Sequence, residues 1–254
     1  MSVKTIFITG ASAGFGEACG RAFAAEGHRL ILTARREDKL KRLRDELTGA
    51  AGVHIVRLDV RDREAVESAV ASLPEDFRDI DVLVNNAGLA LGLEPAHQVA
   101  IEDWDVMVDT NIKGLMYCTR TILPGMVKRN RGHIVNISST AASWPYPGGN
   151  AYGGTKAFVS QFSRNLRADL LGTRVRVTCI QPGMAETEFS KVRFKGNEGL
   201  AGKVYAGTEP LTAEDVAETV TWVVNRPAHV NVNSLEVMSI DQAWGPFAIN
   251  REKE

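Results

Sequence analysis

Short apolar runs rich in β-branched residues alternate along this chain with amphipathic stretches at helical spacing. Runs that are apolar throughout, rather than at every second residue, are typical of strands buried on both faces of a parallel sheet. The predicted strands are 4–10, 29–34, 53–60, 79–88, 132–139, 174–183 and 235–240. The predicted helices are 15–27, 36–47, 63–73, 102–110, 112–129, 152–171 and 212–225. This alternation predicts a doubly wound α/β fold, with a mostly parallel seven-stranded sheet covered by helices on both faces.

Bulk composition limits the classes of partner. The chain has 254 residues without a repeat or a linker-like shift, which predicts one domain over residues 1–254. Its net charge of -1 offers no basic field for nucleic acid, and no apolar segment is long enough to predict a membrane span. Three separated cysteines without a CxxC pair predict neither disulfides nor a metal site and suit the cytoplasm. We therefore expect a small-molecule partner.

The motif "TGASAGFG" joins the first predicted strand to the first predicted helix. Glycines at Gly10, Gly14 and Gly16 allow a tight turn and the close approach of a pyrophosphate to the helix amides. The spacing is G-x-x-x-G-x-G rather than the commoner G-x-G-x-x-G, and a glycine-rich turn alone fits an ordinary turn as well. Its place between strand and helix favours a dinucleotide site, with Ser12 and Phe15 as further contacts.

The end of the second predicted strand indicates which dinucleotide. An NAD site usually has an acidic residue there for the ribose hydroxyls, but "LTARRED" has Ala34 followed by Arg35 and Arg36. A guanidinium pairs with a 2′-phosphate, whereas a carboxylate repels it. Each arginine also fits a solvated charge at the start of a helix. The arginines and the missing acid together predict NADP.

Polar residues follow the next two strands, at the sheet edge where ligands of such folds bind. Asp59, beside Val60, fits either a contact to the adenine or a polar residue at a strand end. In "NNAG", Asn85 and Asn86 fit either cofactor contacts or a locked turn, and we assign the turn to Asn85 and the cofactor to Asn86. Ala87 and Gly88 are also predicted to contact the cofactor.

A tyrosine and a lysine stand four residues apart in "YGGTK", at Tyr152 and Lys156. This spacing places both on one helix face, about 6 Å apart. A phenol has a pKa near 10, and a nearby ammonium is expected to lower it. Ser139, at the end of the fifth predicted strand, is positioned to orient a substrate carbonyl. Chance explains one such pair, but not its convergence with Ser139 and the glycine turn.

Four motifs, "TGASAGFG", "NNAG", the serine with "YGGTK", and "QPG", occur in order, and the chain thereby resembles the short-chain dehydrogenase/reductase family over its full length. The resemblance implies a Rossmann-type fold, with Tyr152 as general acid/base and Lys156 as its pKa partner and nicotinamide-ribose ligand. It further implies Ser139 as carbonyl orienter and Asn111, in "MVDTNIKG", as holder of a proton-relay water. Ser138 is the competing serine, one residue too far from Tyr152. The remaining cofactor contacts that the resemblance implies are Pro182, Gly183 and Thr187.

Longer stretches such as "STAASWPYPGGNAYGGTKAFV" and "TEFSKVRFKGN" are similar to the NADP-dependent 3-hydroxy acid dehydrogenases. This implies hydride transfer at the 3-hydroxyl of serine, L-allo-threonine or 3-hydroxypropionate, the last giving malonic semialdehyde. The alternatives are a reductase of another ketone or polyol, and a non-catalytic nucleotide-binding regulatory protein.

A carboxylate-bearing substrate needs a cation or several amide donors in the site, and Arg193 is our candidate cation, with a solvated charge as the alternative. Trp144, Tyr146 and Met184 are candidates for the pocket wall, although such residues also serve in ordinary packing. The family resemblance implies a homotetramer, or a dimer. The apolar tail 241–250 fits packing on a neighbouring subunit or on its own chain.

Overall fold

Seven strands form one sheet in the computed structural model, which describes residues 2–245. The strands are β1 (Thr5–Thr9), β2 (Arg29–Ala34), β3 (Gly52–Arg57), β4 (Val82–Asn85), β5 (Gly132–Ile137), β6 (Val175–Pro182) and β7 (Ser234–Val237). Their order is β3-β2-β1-β4-β5-β6-β7, and every neighbouring pair is parallel. The doubly wound α/β prediction is confirmed, with a sheet that is parallel throughout rather than mostly.

Helices cover the sheet. They are α1 (Gly14–Ala25), α2 (Glu37–Glu46), α3 (Arg63–Ala71), α4 (Ile101–Val108), α5 (Leu115–Lys128), α6 (Asn150–Asp169), α7 (Glu188–Arg193), α8 (Glu198–Lys203) and α9 (Ala213–Val224). The sequence pattern did not predict α7 and α8, because six-residue helices are too short to show an apolar stripe. At α9, the predicted capping box is present between Thr212 and Asp215.

Alternate residues of the strands pack into two separate hydrophobic cores, one on each face of the sheet. In β1, Ile6 packs in a cluster with Phe23 of α1 and Val220 of α9, whereas Phe7 packs on the opposite side. The Phe7 cluster includes Cys118 of α5 and Leu166 of α6. Because successive strand residues point to opposite faces, burial of both faces requires the uninterrupted apolar runs seen in the sequence.

The two helices predicted at 102–110 and 112–129 form one continuous helical run. A π-helical turn at Asp109–Gly114 joins α4 to α5. Such turns are rare and occur frequently at functional sites. Asn111 lies in this turn, so its side chain leaves the run at a position that a regular α-helix would not supply.

The direction in which successive strands are added to the sheet reverses between β1 and β4. From β1 it runs outward through β2 to β3 and then returns to the other side of β1 as β4. Ligands of open parallel sheets bind outside the strand ends at such a reversal.

No helix among residues 2–245 combines the length and apolar character needed to cross a bilayer. Residues 246–250 of the apolar tail lie outside the described part, and Trp244 packs on Trp144 of its own chain, with ring centroids 5.2 Å apart.

Candidate active site

A cavity of about 300 Å³ opens at the carboxyl ends of the strands, across the β1–β4 reversal. It is continuous from Arg36, after β2, to Tyr152 and Lys156 on α6. The predicted cofactor residues that line it are Gly10, Ser12, Gly14, Phe15, Arg35, Arg36, Asp59, Val60, Asn86, Ala87, Gly88, Tyr152, Lys156 and Thr187. Gly16, Pro182 and Gly183 were also predicted but do not belong to this described lining.

The glycine turn is shaped to receive a phosphate group. A Cβ added to Gly16 would lie 2.5 Å from the Gly10 carbonyl oxygen and 2.5 Å from Asn86 Nδ2, so only glycine fits there. Gly10 itself has a φ of 67°, which favours glycine. Helix α1 begins after Ala13, whose side chain makes no capping hydrogen bond. No side chain at this position therefore competes with a phosphate for the first amides of the helix. These features fit the pyrophosphate of a dinucleotide.

The two asparagines after β4 hold the framework of this turn. Asn85 is buried and its Nδ2 donates to Thr119 Oγ1 and to Asn136 Oδ1, both at 2.9 Å, as a structural residue does. Asn86 Nδ2 donates to the carbonyl oxygens of Thr9 and Gly10, at 2.9 and 3.2 Å. Asn86 therefore holds the glycine turn in place, and its predicted contact with the cofactor stays a prediction.

Arg36 and Ser12 meet at the β2 end of the cavity. Arg36 Nε and Nη2 donate to Ser12 Oγ at 3.2 and 3.1 Å, and Arg35 lines the same wall. Nearby, the Asp59 carboxylate binds Arg61, with Nη2 of that arginine 2.6 Å from Oδ2. This ion pair lowers the pKa of Asp59 and engages the side chain that was considered for the adenine edge.

Strand β5 and helix α6 bring the three proton-handling candidates together. Ser139 follows β5, and its hydroxyl accepts from the Ala141 amide and donates to the Pro182 carbonyl. Tyr152 lies in the first turn of α6, which begins at Asn150 rather than at the tyrosine. Lys156, one turn later, has its Nζ 5.8 Å from the centre of the Tyr152 ring. All three are buried.

The predicted pKa relationship between Tyr152 and Lys156 is wrong for this structure. Burial raises the pKa of Tyr152 to about 12, and the interaction with Ser139 offsets only part of that rise. Burial likewise lowers the pKa of Lys156 to about 8. Its Nζ donates to the Ile137 carbonyl at 2.9 Å instead of pointing at the phenol. Desolvation is therefore the largest influence on the pKa of both groups.

Asn111 is buried beside the same site. Its Nδ2 donates to the Leu89 carbonyl at 2.8 Å and to Thr155 Oγ1 at 3.0 Å, while its Oδ1 accepts from the Leu89 amide at 2.9 Å. A Cβ added to Gly88 would lie 3.2 Å from both Asn111 Oδ1 and Lys156 Nζ. Because Gly88 has no side chain, the Asn111 amide and the Lys156 ammonium can both lie close to its backbone.

Ser138, the competing serine, lines the cavity, but its hydroxyl is engaged by other groups. Its hydroxyl donates to the Lys156 carbonyl at 2.8 Å and bonds with Ser160 Oγ at 2.8 Å, within the β5–α6 contact. The spacing argument that preferred Ser139 is consistent with this placement. Ser138 instead fixes the backbone of the turn that carries Lys156.

The substrate candidates divide into two pairs. Arg193 reaches Tyr146, to whose hydroxyl its Nη2 donates, and its guanidinium carbon lies 5.4 Å from the centre of the Tyr152 ring. Trp144 instead packs on Trp244 and donates to Glu236 at 3.3 Å, and Met184 is held through its amide by Gln242. The structure therefore brings Arg193 and Tyr146, but not Trp144, to the Tyr152 ring.

Several cavity residues were not predicted from the sequence. Phe189 of α7 packs 5.6 Å from the Tyr152 ring, and Glu188 stands next to it on the cavity wall. Only their position just after the predicted contact Thr187 could have indicated them. The other lining residues that were not predicted as contacts are Ala13, Ala34, Leu58, Leu89, Thr110, Ile137, Ser138 and Val192.

Comparisons with known proteins find relatives that match this chain along nearly its whole length. The NADP-dependent 3-hydroxy acid dehydrogenase YdfG of Salmonella typhi is 59% identical over 247 residues, 97% of this chain and 99% of that protein. Serine 3-dehydrogenase of Agrobacterium fabrum is 53% identical, with 98% of each chain covered. A solved closed form of serine dehydrogenase complexed with NADP+ superposes with a TM-score of 0.95 at 57% identity, covering 97% of this chain and 99% of that one.

The family model for short chain dehydrogenases matches residues 4–198, the span that contains the glycine turn, Asn111, Ser139, Tyr152 and Lys156. With this match, and with relatives of more than half identity along nearly the whole length, the chain belongs to the short-chain dehydrogenase family.

Proposed function

We propose that this protein is an NADP-dependent oxidoreductase that transfers hydride between the nicotinamide and the 3-hydroxyl of a small hydroxy acid. Serine, L-allo-threonine and 3-hydroxypropionate are the proposed substrates. One observation carries the proposal: a single cavity runs from Arg35 and Arg36 to Tyr152 and Lys156. The relatives' names support the same substrate class.

The chain's own residues would bind the cofactor along this cavity. Arg35, Arg36 and Ser12 would hold the 2′-phosphate, and the glycine turn would hold the pyrophosphate against the start of α1. Lys156 would bind the nicotinamide ribose. When bound, the nicotinamide supplies the hydride acceptor for oxidation and the donor for reduction.

Tyr152 is the proposed acid and base. With a pKa of about 12, its phenol is protonated at neutral pH and ready to donate to a substrate carbonyl oxygen, the step needed in reduction. In oxidation the phenol must first lose that proton. The Arg193 guanidinium, 5.4 Å from the ring centre, and the Lys156 ammonium are the two cations that would stabilise the phenolate.

Ser139 and Asn111 have supporting roles in this proposal. The Ser139 hydroxyl would hold the reacting oxygen next to the Tyr152 phenol. Asn111, tied to Leu89 and Thr155 in its π-helical turn, would hold a water that passes the proton from Lys156 to solvent. The Phe189 ring beside Tyr152 would exclude other water from the reacting atoms.

Arg193 is the proposed partner of the substrate carboxylate. It lies on the substrate side of Tyr152, where its guanidinium is shared with the Tyr146 hydroxyl. We expect Arg193→Leu to raise KM for 3-hydroxypropionate by about tenfold or more, because a charged hydrogen bond is lost. The same change should leave KM for 1,3-propanediol, which lacks the carboxylate, unaltered. Equal KM values for 3-hydroxypropionate in both proteins would remove this role.

The substrate class is tested by incubating the purified protein with NADP and measuring NADPH absorbance. Serine, L-allo-threonine and 3-hydroxypropionate are compared with a steroid alcohol and a polyol. The proposal expects turnover concentrated in the hydroxy acids. Turnover confined to the steroid or the polyol would replace the substrate class, and NADP binding without any turnover would point to a non-catalytic nucleotide-binding protein.

We also propose a cytoplasmic homotetramer, with a dimer as the alternative. The support is the family resemblance and the three buried cysteines, which suit a reducing compartment. Light scattering coupled to size exclusion would separate a mass near four chains of 27.6 kDa from one near two.

A further inference from the structure

Glu188, the first residue of α7, reaches across the cavity to the β2 end. Its Oε2 lies 2.8 Å from Arg36 Nη1, and its Oε1 lies 2.5 Å from Lys39 Nζ on α2. Glu188 lines the same cavity as Arg36. Just before it, Thr187 caps α7 and lies against Gly14 of the glycine turn. The Glu188 carboxylate therefore binds Arg36 of the cavity lining and Lys39 of α2.

These contacts occupy the donors of Arg36. Its Nε and Nη2 donate to Ser12, and its Nη1 donates to Glu188, so the fork has bound partners on both sides. Lys39 and then Arg36 hold the pKa of Glu188 below its ordinary value, which keeps it ionised at neutral pH. An incoming phosphate dianion would meet a negative charge already seated on the cations that attract it.

We propose that Glu188 sets cofactor specificity by competing with the 2′-phosphate for Arg36 and Lys39, and that Lys39 joins Arg36 as a 2′-phosphate ligand once Glu188 is displaced. The inference rests on the proposed use of NADP. A cofactor with a free 2′-hydroxyl leaves the two ion pairs intact. The carboxylate thus lowers the affinity for the phosphorylated cofactor below what Arg36 and Lys39 would otherwise provide.

The test uses Glu188→Gln and two probes that differ in the phosphate, adenosine 2′,5′-bisphosphate and adenosine 5′-monophosphate, titrated by calorimetry at low salt. We expect the variant to bind the bisphosphate about two- to fivefold more tightly, the size of a partly exposed charge interaction. Affinity for the monophosphate should not change. High salt should reduce the gain, because both ion pairs are partly exposed.

Glu186→Gln is the matched control. It removes the same charge two residues earlier, from an exposed side chain with no ion pair among residues 2–245. Both probes should bind this variant as they bind the wild type. An equal gain in Glu186→Gln would mean a general electrostatic effect and overturn the proposal.

Lys39→Met should weaken the bisphosphate and remove most of the gain that Glu188→Gln gives, because one of the two contested cations is gone. Unchanged or weaker bisphosphate binding by Glu188→Gln would also overturn the inference. A wild-type protein that shows no preference for the bisphosphate over the monophosphate would instead contradict the proposed NADP dependence, which is a separate result.

Discussion

Two halves of the candidate site are built in opposite ways. The proton-handling half consists of Ser139, Tyr152, Lys156 and Asn111, each less than 10% exposed on β5, α6 and the π-helical turn. The flap, residues 187–203, carries α7 and α8 and contacts the rest of the protein through exposed ion pairs as well as through the packing of Phe189 on Tyr152. The ion pairs include Glu188–Lys39 and Lys195–Asp103, at 2.5 and 2.8 Å.

The difference reflects what each half must do. Buried groups keep their positions, and the displaced pKa values of Tyr152 and Lys156 exist only because packing holds both away from water. Exposed ion pairs are weak and are screened by salt, so breaking those of the flap costs little free energy. In the proposed function, the buried half therefore carries the chemistry, whereas the flap takes part in recognition of cofactor and substrate through Glu188 and Arg193.

The largest expected effect tests the proton-handling half directly. Tyr152→Phe removes the phenolic oxygen but keeps the ring that packs on Phe189. We expect kcat to fall by about 10²–10⁴-fold, the contribution of a positioned acid/base, with NADPH binding retained. Steady-state kinetics and a fluorescence titration of NADPH measure the two quantities. Retained turnover would mean that another group moves the proton.

The same chemical change at a glycine of the buried glycine turn and at a glycine of the flap should have opposite effects on stability. At Gly16 a Cβ would meet the Gly10 carbonyl oxygen at 2.5 Å, so Gly16→Ala should cost about 1–3 kcal/mol of unfolding free energy and weaken NADP binding. At Gly202 of α8 an added Cβ meets no described atom within 4 Å. Gly202→Ala should be neutral or stabilise its helix by about 0.5–1 kcal/mol. Urea unfolding compares them, and equal losses would contradict the comparison.

The pH dependence of the unfolding free energy should show whether Lys156 is buried. The pKa of Lys156 is about 8 in the folded protein against 10.5 when exposed, so between these values the unfolded chain binds more protons. Stability contributed through this group therefore rises with pH. The unfolding free energy of wild type minus that of Lys156→Met should increase by about 2 kcal/mol from pH 8 to pH 10, without NADP present.

The difference between the two proteins is needed because other groups act in the opposite direction. Burial raises the pKa of Cys19 and of Cys118 to about 12, so the unfolded chain loses these thiol protons first as pH rises. Their contribution to stability falls over the same window and cancels in the subtraction. A difference that stays flat from pH 8 to pH 10 would mean that Lys156 titrates as an exposed lysine.

The smallest expected effect concerns the flap. Asp103→Asn removes the partner of Lys195 but leaves the backbone bond between Gly92 and Arg193. We expect KM for serine to rise by about two- to threefold at low salt, and the change to vanish at high salt. Steady-state kinetics at two salt concentrations measure it. A tenfold fall in kcat would show that the flap positions the reacting groups themselves.

Much of the fold was predictable because local patterns reported it. Strands buried on both faces, such as β1, need uninterrupted apolar runs, and the capping box at Thr212 marks the start of α9. Helices α7 and α8 escaped because six residues show no period. The π-helical turn at Asp109–Gly114 escaped because its residues read as ordinary helix. Of the site, the glycine turn and the candidates Ser139, Tyr152 and Lys156 were predicted from motif spacing, from their convergence at one sheet edge and from the family resemblance.

The contacts between distant segments were not available in this way. Asn86 locks the glycine turn through Thr9 and Gly10, although its place in "NNAG" equally suited a cofactor contact. Trp144 packs on Trp244, a partner 100 residues away in the chain. The number of residues between two groups in the sequence does not indicate which side chain of a third segment will contact them in the folded protein.

The order of motifs and the alternation of strands and helices determined the sheet and the glycine turn and predicted Ser139, Tyr152 and Lys156 as site residues, because each depends on neighbours in the chain. The tertiary structure decided the pKa values of Tyr152 and Lys156 and the partners of the flap. Burial is a property of everything packed around a group, and it reversed the expected pKa of Tyr152. Glu188 acquired its role only where folding carried it to Arg36, 152 residues away.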